Sequence, residues 1–145
     1  MHFLVPLDLS DATTPVLAVA RRAAQASHAA VVLLHVAEPD PDFVGYEAGP
    51  GVGREQVAHE YHEQHHVLHS HAEAIRNEGI EATALLIQGA IAETILREAK
   101  RLTTDLIVMG THGRGAMFNL VVGSVSHAVL RDTPIPVLLV PLGKR

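Results

Sequence analysis

Five short apolar runs, separated by segments with helical periodicity, constrain the fold of this chain more than any other feature. Runs of this length, rich in Val, Leu and Ile, are typical of strands buried on both faces of a parallel sheet. The intervening segments repeat apolar residues every three or four positions, which predicts helices that cover the sheet. The apolar runs occupy residues 3–8, 30–36, 82–87, 106–109 and 135–140. The predicted helices follow capping residues 9–11 as far as about residue 27, and then occupy 55–77, 91–101 and 125–131.

This alternation predicts the α/β class: a single-domain doubly wound sheet of five parallel strands in the order 3-2-1-4-5, with helices on both faces. A chain of 145 residues is long enough for one core and short for two, so residues 1–145 are expected to form one domain. In such sheets ligands bind beyond the carboxyl ends of the strands, where the strand order reverses. The ends of the first and fourth strands are therefore the expected site.

The composition excludes several classes of protein. The chain has no cysteine, which excludes a disulfide scaffold, a thiolate metal site and a cysteine nucleophile, and which fits the reducing cytoplasm as the expected location. The formal net charge is −5 and no basic stripe appears, so nucleic acid is not an expected partner. No apolar segment approaches the roughly twenty residues that cross a bilayer, so no membrane association is expected.

Residues 105–126 combine a strand, a turn containing glycines and the start of a helix. Gly110 and Gly113 follow the fourth apolar run directly, and Gly123-Ser124 precedes the fourth predicted helix. Glycine permits positive φ and lets backbone N–H groups approach a ligand without a Cβ in the way. A helix N-terminus adds unpaired N–H donors and the positive end of the helix dipole. The stretch therefore predicts a binding site for a polyanion such as a chain of phosphates.

The spacing of these residues also resembles a known signature. Gly110, two residues, Gly113, nine residues and Gly123-Ser124 are similar to the nucleotide-binding signature of the universal stress protein family, and they lie before the last strand, as in that family. Residues 3–8 and 33–36 resemble the family's first two strands, so the resemblance covers nearly the whole chain. It implies an ATP-binding regulatory protein of the stress response.

The resemblance assigns expected roles to individual residues. Asp8 and the backbone of Val36 would meet the adenine end of ATP, while the glycine turn and the helix start would hold the phosphates. Met109 would line the site, and Arg114 would either reach the phosphates or remain solvated. The serines at the helix start would cap the helix and donate to phosphate oxygens. The full expected set is Pro6, Asp8, Val36, Met109, Gly110, Gly113, Arg114, Gly123, Ser124, Val125 and Ser126.

The expected cofactor is ATP, with or without Mg²⁺, and AMP or a cyclic nucleotide is the open alternative. The glycine turn has no acidic Mg²⁺ ligand close in sequence and no evident general base. No catalytic residue is therefore expected, and any ATP hydrolysis should be slow. A nucleotide-hydrolysing or phosphotransfer enzyme remains an alternative function, which a turnover of about 1 s⁻¹ or more would favour.

A second alternative is a metal- or pH-sensing interaction protein that works through the histidine face of the long predicted helix. Histidines three or four residues apart on a helix can jointly bind Zn²⁺ or Ni²⁺, but a solvated face that is rich in histidine is the simpler explanation of the pattern. No metal site is therefore assigned. The histidine face consists of His59, His62, His66 and His69, and the opposite, buried stripe is expected to contain Val57, Tyr61, Leu68, Ala72 and Ile75.

The last apolar run, Pro136 to Val140, would form an apolar sheet edge, which is a liability unless another strand or chain covers it. The family resemblance implies a homodimer through this strand. A regulatory nucleotide binder also implies a protein partner downstream. No motif in the sequence identifies that partner or the stress that calls for it.

Overall fold

The computed structural model describes residues 1–39, 52–112 and 122–142, with the side chains of residues 52–55 and 57 left out. Among these residues, no helix is both long enough and apolar enough to span a membrane. The elements, in chain order, are β1 His2–Pro6, α1 Thr13–Ser27, β2 Ala30–Ala37, α2 Val52–Asn77, β3 Ala82–Gln88, α3 Ile91–Arg101, β4 Leu106–Gly110, α4 Ser124–Asp132 and β5 Val137–Val140.

The five strands form one parallel sheet in the order β3-β2-β1-β4-β5, which confirms the predicted α/β architecture. The chain builds outwards from β1 through β2 to β3, and then returns to the other side of β1 to add β4 and β5. The strand order therefore reverses between β1 and β4. This reversal opens a crevice beyond the carboxyl ends of those two strands.

Side chains alternate between the two faces of the sheet, and each face has its own core. On one face Val5 and Leu33 pack with buried residues of α1 and α2. On the other face Leu4 and Ile107 pack with buried residues of α3 and α4, including Ile95. Burial of one such leucine or isoleucine contributes about 1.5–3 kcal/mol to stability. The two cores hold β1 and β4 rigidly from both sides.

The predicted buried stripe of α2 is correct in its second half only. Leu68, Ala72 and Ile75 are fully buried, whereas Tyr61 is 40% exposed. The Tyr61 hydroxyl donates to the carbonyl oxygen of Leu86 in the edge strand β3, at 3.3 Å, so the ring lies at the border of the sheet with its polar end accessible. The side chain of Val57 lies outside the described residues.

Two strands are shorter than predicted, and a proline lies at the shortened end of each. β1 ends at Pro6 and not at residue 8, although the N–H of Leu7 still donates to the carbonyl of Leu34 at 2.8 Å. Leu9 then has a φ of 60°, a left-handed conformation that turns the chain out of the sheet. β5 begins after Pro136, which has no N–H to donate, although its carbonyl accepts from Ile107 at 3.0 Å.

Candidate functional site

The crevice between β1 and β4 brings two chain segments to the same level of the sheet. Leu4 of β1 lies opposite Ile107 of β4, so the same register places Pro6 level with Met109. The segment that follows β1 carries Asp8, and the segment that follows β4 begins at Gly110. The residues predicted from the two separate strands therefore meet at one edge of the sheet.

Asp8 is half-buried and is held by the turn that leads into α1. Its Oδ1 accepts hydrogen bonds from the Ser10 N–H at 3.0 Å and from the Ser10 hydroxyl at 2.6 Å. The Ser10 hydroxyl oxygen in turn accepts from the N–H of Ala12, the residue before α1. A side chain that bonds to the backbone two residues later is typical of Asp in turns. The carboxylate is therefore fixed in orientation at the mouth of the crevice.

The backbone of Val36 faces the same crevice. In a parallel sheet the peptide groups of successive residues point alternately to the two neighbouring strands. Within β2, the carbonyl of Leu34 accepts from Leu7 on the β1 side, and the carbonyl of Ala37 accepts from Gly89 on the β3 side. The N–H and C=O of Val36 therefore point to the β1 side, at a level beyond the last residue of β1. Its side chain is buried in the core under α3 and α4.

The turn after β4 is packed closely against two other parts of the chain. The N–H of Gly123 donates to the carbonyl of Thr111 at 2.6 Å, and the N–H of Thr111 donates to Val140 at 3.0 Å. A Cβ on Gly123 would lie 3.2 Å from the Cα of His112, and one on Gly110 would lie 2.9 Å from the Leu142 side chain. Close approach therefore accounts for both glycines, and it is stricter at Gly123, which faces backbone, than at Gly110, which faces the end of a side chain.

The freedom to adopt positive φ, which glycine offers, is not used by the two glycines of this site that the structure describes. Gly123 has a φ of −71° and Gly110 does not have a positive φ. Close contact between chain segments accounts for both residues, because each lacks the Cβ that would collide with its neighbour. Gly113 and Arg114 lie outside the described residues, so their predicted roles stay predictions.

The start of α4 faces the turn after β4. Gly123 is the N-cap of the helix and makes no side-chain capping bond, and Ser124 is exposed. Ser126 is buried, and its hydroxyl donates to the carbonyl oxygen of Gly110 at 2.8 Å. The N–H groups in the first turn of a helix have no partner within the helix. The start of α4 thus offers backbone donors, while Ser126 fastens it to the end of β4.

Two further predicted residues, Met109 and Val125, lie beneath the site. The Met109 side chain is 5% exposed and belongs to the core under α3 and α4, and the half-buried Val125 packs against the same core. Pro6 is half-buried at the end of β1. The apolar floor that these residues form fixes the position of the polar groups above it.

A buried histidine beside the site was not singled out from the sequence. His35 is 8% exposed, and its Nδ1 lies 2.7 Å from the carbonyl oxygen of Leu7. The available signal was a single polar residue inside the otherwise apolar run 30–36. Buried polar groups are almost always hydrogen-bonded, so such a residue indicates a specific partner.

The histidine face of α2 lies outside this site. His59, His62, His66 and His69 are all exposed, and the rings of His65 and His69 stack with centroids 5.6 Å apart. Within the described parts of the chain, no group of three or more histidine or acidic side chains is placed to hold a metal ion. The observed geometry is that of a solvated helix surface.

Comparison with known proteins agrees with this architecture. The family model described as "Universal stress protein family" matches residues 1–141. A Thermus aquaticus protein, "Universal stress protein in QAH/OAS sulfhydrylase 3'region", is 38% identical over 143 residues, which cover 94% of this chain and 96% of that protein. A Bacillus subtilis relative, universal stress protein YxiE, is 28% identical over 142 residues, which cover 94% and 96% of the two chains.

Solved structures share the same fold. The structure of hypothetical protein MJ0577 superposes with a TM-score of 0.87 at 22% identity and covers 99% of this chain and 97% of that one. A universal stress protein from Archaeoglobus fulgidus in complex with dAMP has a TM-score of 0.66 at 24% identity, and each chain is covered to 97%. Another universal stress protein, in complex with cAMP, has a TM-score of 0.69 at 20% identity and covers 97% and 96% of the two chains. By sequence and by fold, this chain belongs to the universal stress protein family.

Proposed function

We propose that this chain is a cytoplasmic regulatory protein of the stress response that binds ATP at the carboxyl ends of β1 and β4 and hydrolyses it slowly or not at all. One observation carries the proposal. The Asp8 carboxylate follows β1, the Val36 peptide lies near the carboxyl end of β2, and the start of α4 bonds to the end of β4, so all three belong to the sheet edge where the strand order reverses. Related proteins in complex with cAMP and dAMP support an adenine nucleotide as the class of ligand.

The adenine end of the proposed site uses the Val36 peptide. The Watson–Crick edge of adenine presents a ring nitrogen that accepts and an amino group that donates. The N–H and C=O of Val36 point to the same side of β2, so one residue offers the matching donor and acceptor. Asp8, fixed by Ser10, supplies a negative acceptor beside them for an amino or hydroxyl group of the nucleoside.

The phosphate end of the proposed site uses backbone donors. The first-turn N–H groups of α4 and the helix dipole favour negative charge at this position. Ser126 supports this arrangement, because its hydroxyl donates a hydrogen bond to the Gly110 carbonyl oxygen. Without that donor the carbonyl oxygen would repel a phosphate. Gly113 and Arg114, outside the described residues, belong to the proposal through the family signature. A phosphate chain with Mg²⁺ would leave most ligands of the ion to phosphate oxygens and water.

Slow hydrolysis follows from the residues around the phosphate end. Residues 106–112 and 122–127 contain no Asp or Glu that would hold Mg²⁺ against the phosphates. Catalysis of phosphoryl transfer depends on such positioning and on an oriented nucleophile. An ATP turnover of about 1 s⁻¹ or more would instead support the enzymatic alternative.

A direct test is to identify the ligand that the protein carries and the residues that hold it. Mass spectrometry of material released from freshly purified protein is expected to detect an adenine nucleotide, which Gly113→Val should lose. Titration calorimetry should show that Asp8→Asn weakens ATP binding about tenfold or more, because a charged hydrogen-bond partner contributes roughly 1.5–3 kcal/mol.

Glu81→Gln is the matched control, because this exposed carboxylate lies just before β3, at the opposite end of the sheet. It should bind ATP like the wild type. A wild-type protein that carries no nucleotide and shows no heat of binding with ATP, AMP or cAMP would refute the proposed function.

We also propose a homodimer in which β5 and the flanking residue Pro136 face a second copy. β5 pairs only with β4 among the described strands and is therefore an edge. Leu138 is 37% exposed on this strand, an apolar side chain at an unpaired sheet edge. Such edges invite pairing with another chain unless they are protected.

A further inference from the structure

We propose that His35 is a positioning residue for adenine recognition: by bonding to the Leu7 carbonyl, its side chain keeps the Val36 peptide facing the nucleotide. This inference rests on the function proposed above and adds a residue outside the glycine signature. His35 does not need to touch the ligand. It acts through the backbone of its neighbour in β2.

The hydrogen bond defines which nitrogen of the His35 ring carries a proton. A carbonyl oxygen can only accept, so the Nδ1 of His35, 2.7 Å away, carries the proton that is donated to Leu7. The ring is buried on the face of the sheet that α1 and α2 cover, the face that also holds Val31 and Leu33. A leucine at position 35 would be apolar and of similar size, but it has no hydrogen-bond donor. Only a side chain with a donor at this point can occupy the Leu7 carbonyl.

The continuation of the β1–β2 ladder shows what this bond replaces. In a parallel ladder, the N–H of Leu7 donates to Leu34, and the next rung would run from the N–H of Val36 to the carbonyl of Leu7. The first of these bonds is present at 2.8 Å. The second is absent among the backbone hydrogen bonds of the described residues, and His35 bonds to that carbonyl instead.

The following rung is prevented by the backbone of the segment after β1. It would run from the N–H of Leu9 to the carbonyl of Val36, but the φ of 60° at Leu9 turns the chain away. The side-chain bond of His35 and the turn at Leu9 therefore end the ladder together. Both polar groups of Val36 remain directed into the crevice, where the adenine edge can take the place of the missing strand.

The first arm of the test uses the protein without nucleotide. Amide hydrogen exchange measured by NMR should show that the Val36 N–H exchanges about tenfold or more faster in the wild type than in His35→Leu. In the variant the Leu7 carbonyl has lost its bond to His35, so the Val36 N–H can donate to it. His35→Asn should behave like the wild type, because the amide nitrogen of Asn can reach the position of the imidazole Nδ1. Should His35→Leu fail to fold, His35→Gln, whose amide extends past that position, replaces it.

The second arm compares ATP with ITP, whose base donates from the ring nitrogen and accepts at the exocyclic oxygen, the reverse of adenine. The wild type and His35→Asn should bind ATP about tenfold or more tightly than ITP. In His35→Leu the affinity for ATP should fall and the affinity for ITP should stay the same, so the preference is lost. A merely structural role would weaken both nucleotides equally.

The outcomes separate the inference from the function on which it rests. Unchanged Val36 exchange in His35→Leu, or an unchanged preference for ATP over ITP, overturns the role of His35 and leaves the nucleotide site standing. A wild type that binds neither nucleotide overturns the proposed function and this inference with it. Slow Val36 exchange in the variant together with a lost base preference supports both.

Discussion

At the scale of single residues, close contact with other parts of the chain explains the two described glycines of the site, Gly110 and Gly123. Gly123 approaches the backbone of His112, and Gly110 approaches the side chain of Leu142. The two cases differ in consequence, because a side-chain end can move and a backbone atom cannot do so without shifting the turn. Gly123 is therefore the position where one added methyl group should disturb the site most.

Gly123→Ala is expected to weaken ATP binding about tenfold, because a Cβ 3.2 Å from the Cα of His112 forces the turn away from the start of α4. Calorimetry measures the affinity, and urea unfolding measures the accompanying loss of stability. Gly79→Ala is the matched control. Gly79 has a φ of +85° in open space, so alanine there should cost about 1 kcal/mol of stability through strain and leave ATP affinity unchanged. Equal ATP affinity in the wild type and Gly123→Ala would contradict the proposed geometry.

At the scale of secondary-structure elements, β5 is the part of the fold that lacks a partner on one side. Val137 and Leu139 point into the core under α3 and α4, so a charge at either position would damage the fold itself. Leu138 points to the other face and is partly exposed. It is therefore the residue of β5 through which association can be changed with least effect on the monomer.

Leu138→Lys is expected to give monomers where the wild type gives dimers in multi-angle light scattering, because an edge lysine opposes strand pairing. Leu130→Lys provides the control. Leu130 is 40% exposed on α4, comparable with the 37% of Leu138, and it lies outside the edge strand. A Leu138→Lys protein that remains dimeric would place the interface elsewhere on the surface.

At the scale of the whole molecule, acidification acts on a chain that is unusually rich in histidine. Eleven histidines accompany a net charge of −5, so protonation near pH 6 reverses the sign of the charge. Most histidines of α2 are exposed, but His71 is half-buried. Its burial, and then the charge of Arg21, lower the pKa of His71 below its usual value. Arg21 itself is paired with Glu78 at 3.3 Å.

This lowered pKa predicts the direction of a pH effect on stability. The unfolded chain takes up a proton at His71 first, so the contribution is intact above a pH of about 6.5 and is lost as the pH falls from there towards the folded-state pKa. In His71→Gln, the free energy of unfolding should therefore fall less between about pH 7.5 and 5.5 than in the wild type, as measured by urea denaturation. His59→Gln, at an exposed position of the same helix, should keep the wild-type fall. An identical pH dependence in His71→Gln would refute the assignment.

The sequence by itself determined the class and most element boundaries, because strands buried on both faces leave continuous apolar runs and amphipathic helices repeat apolar residues every three or four positions. α3 was predicted with its observed bounds. Parallel pairing followed from the handedness of the crossovers, and the strand order followed from the doubly wound class. The resemblance to the family also indicated Gly123, through the glycine signature, and Asp8 and Val36, through the first two strands. Tyr61 was misplaced, because periodicity cannot show where a helix reaches the border of its sheet.

Only the tertiary structure decided which polar groups satisfy one another. The bond from Ser126 to Gly110 spans 16 residues and that from His35 to Leu7 spans 28. Neither bond has a sequence pattern, because the partner in each is a backbone carbonyl that every residue possesses. The reason for Gly123 likewise depends on His112 lying against it after folding. Local periodicity thus specified the scaffold, whereas contacts between distant segments set the orientation of the groups that would meet a ligand.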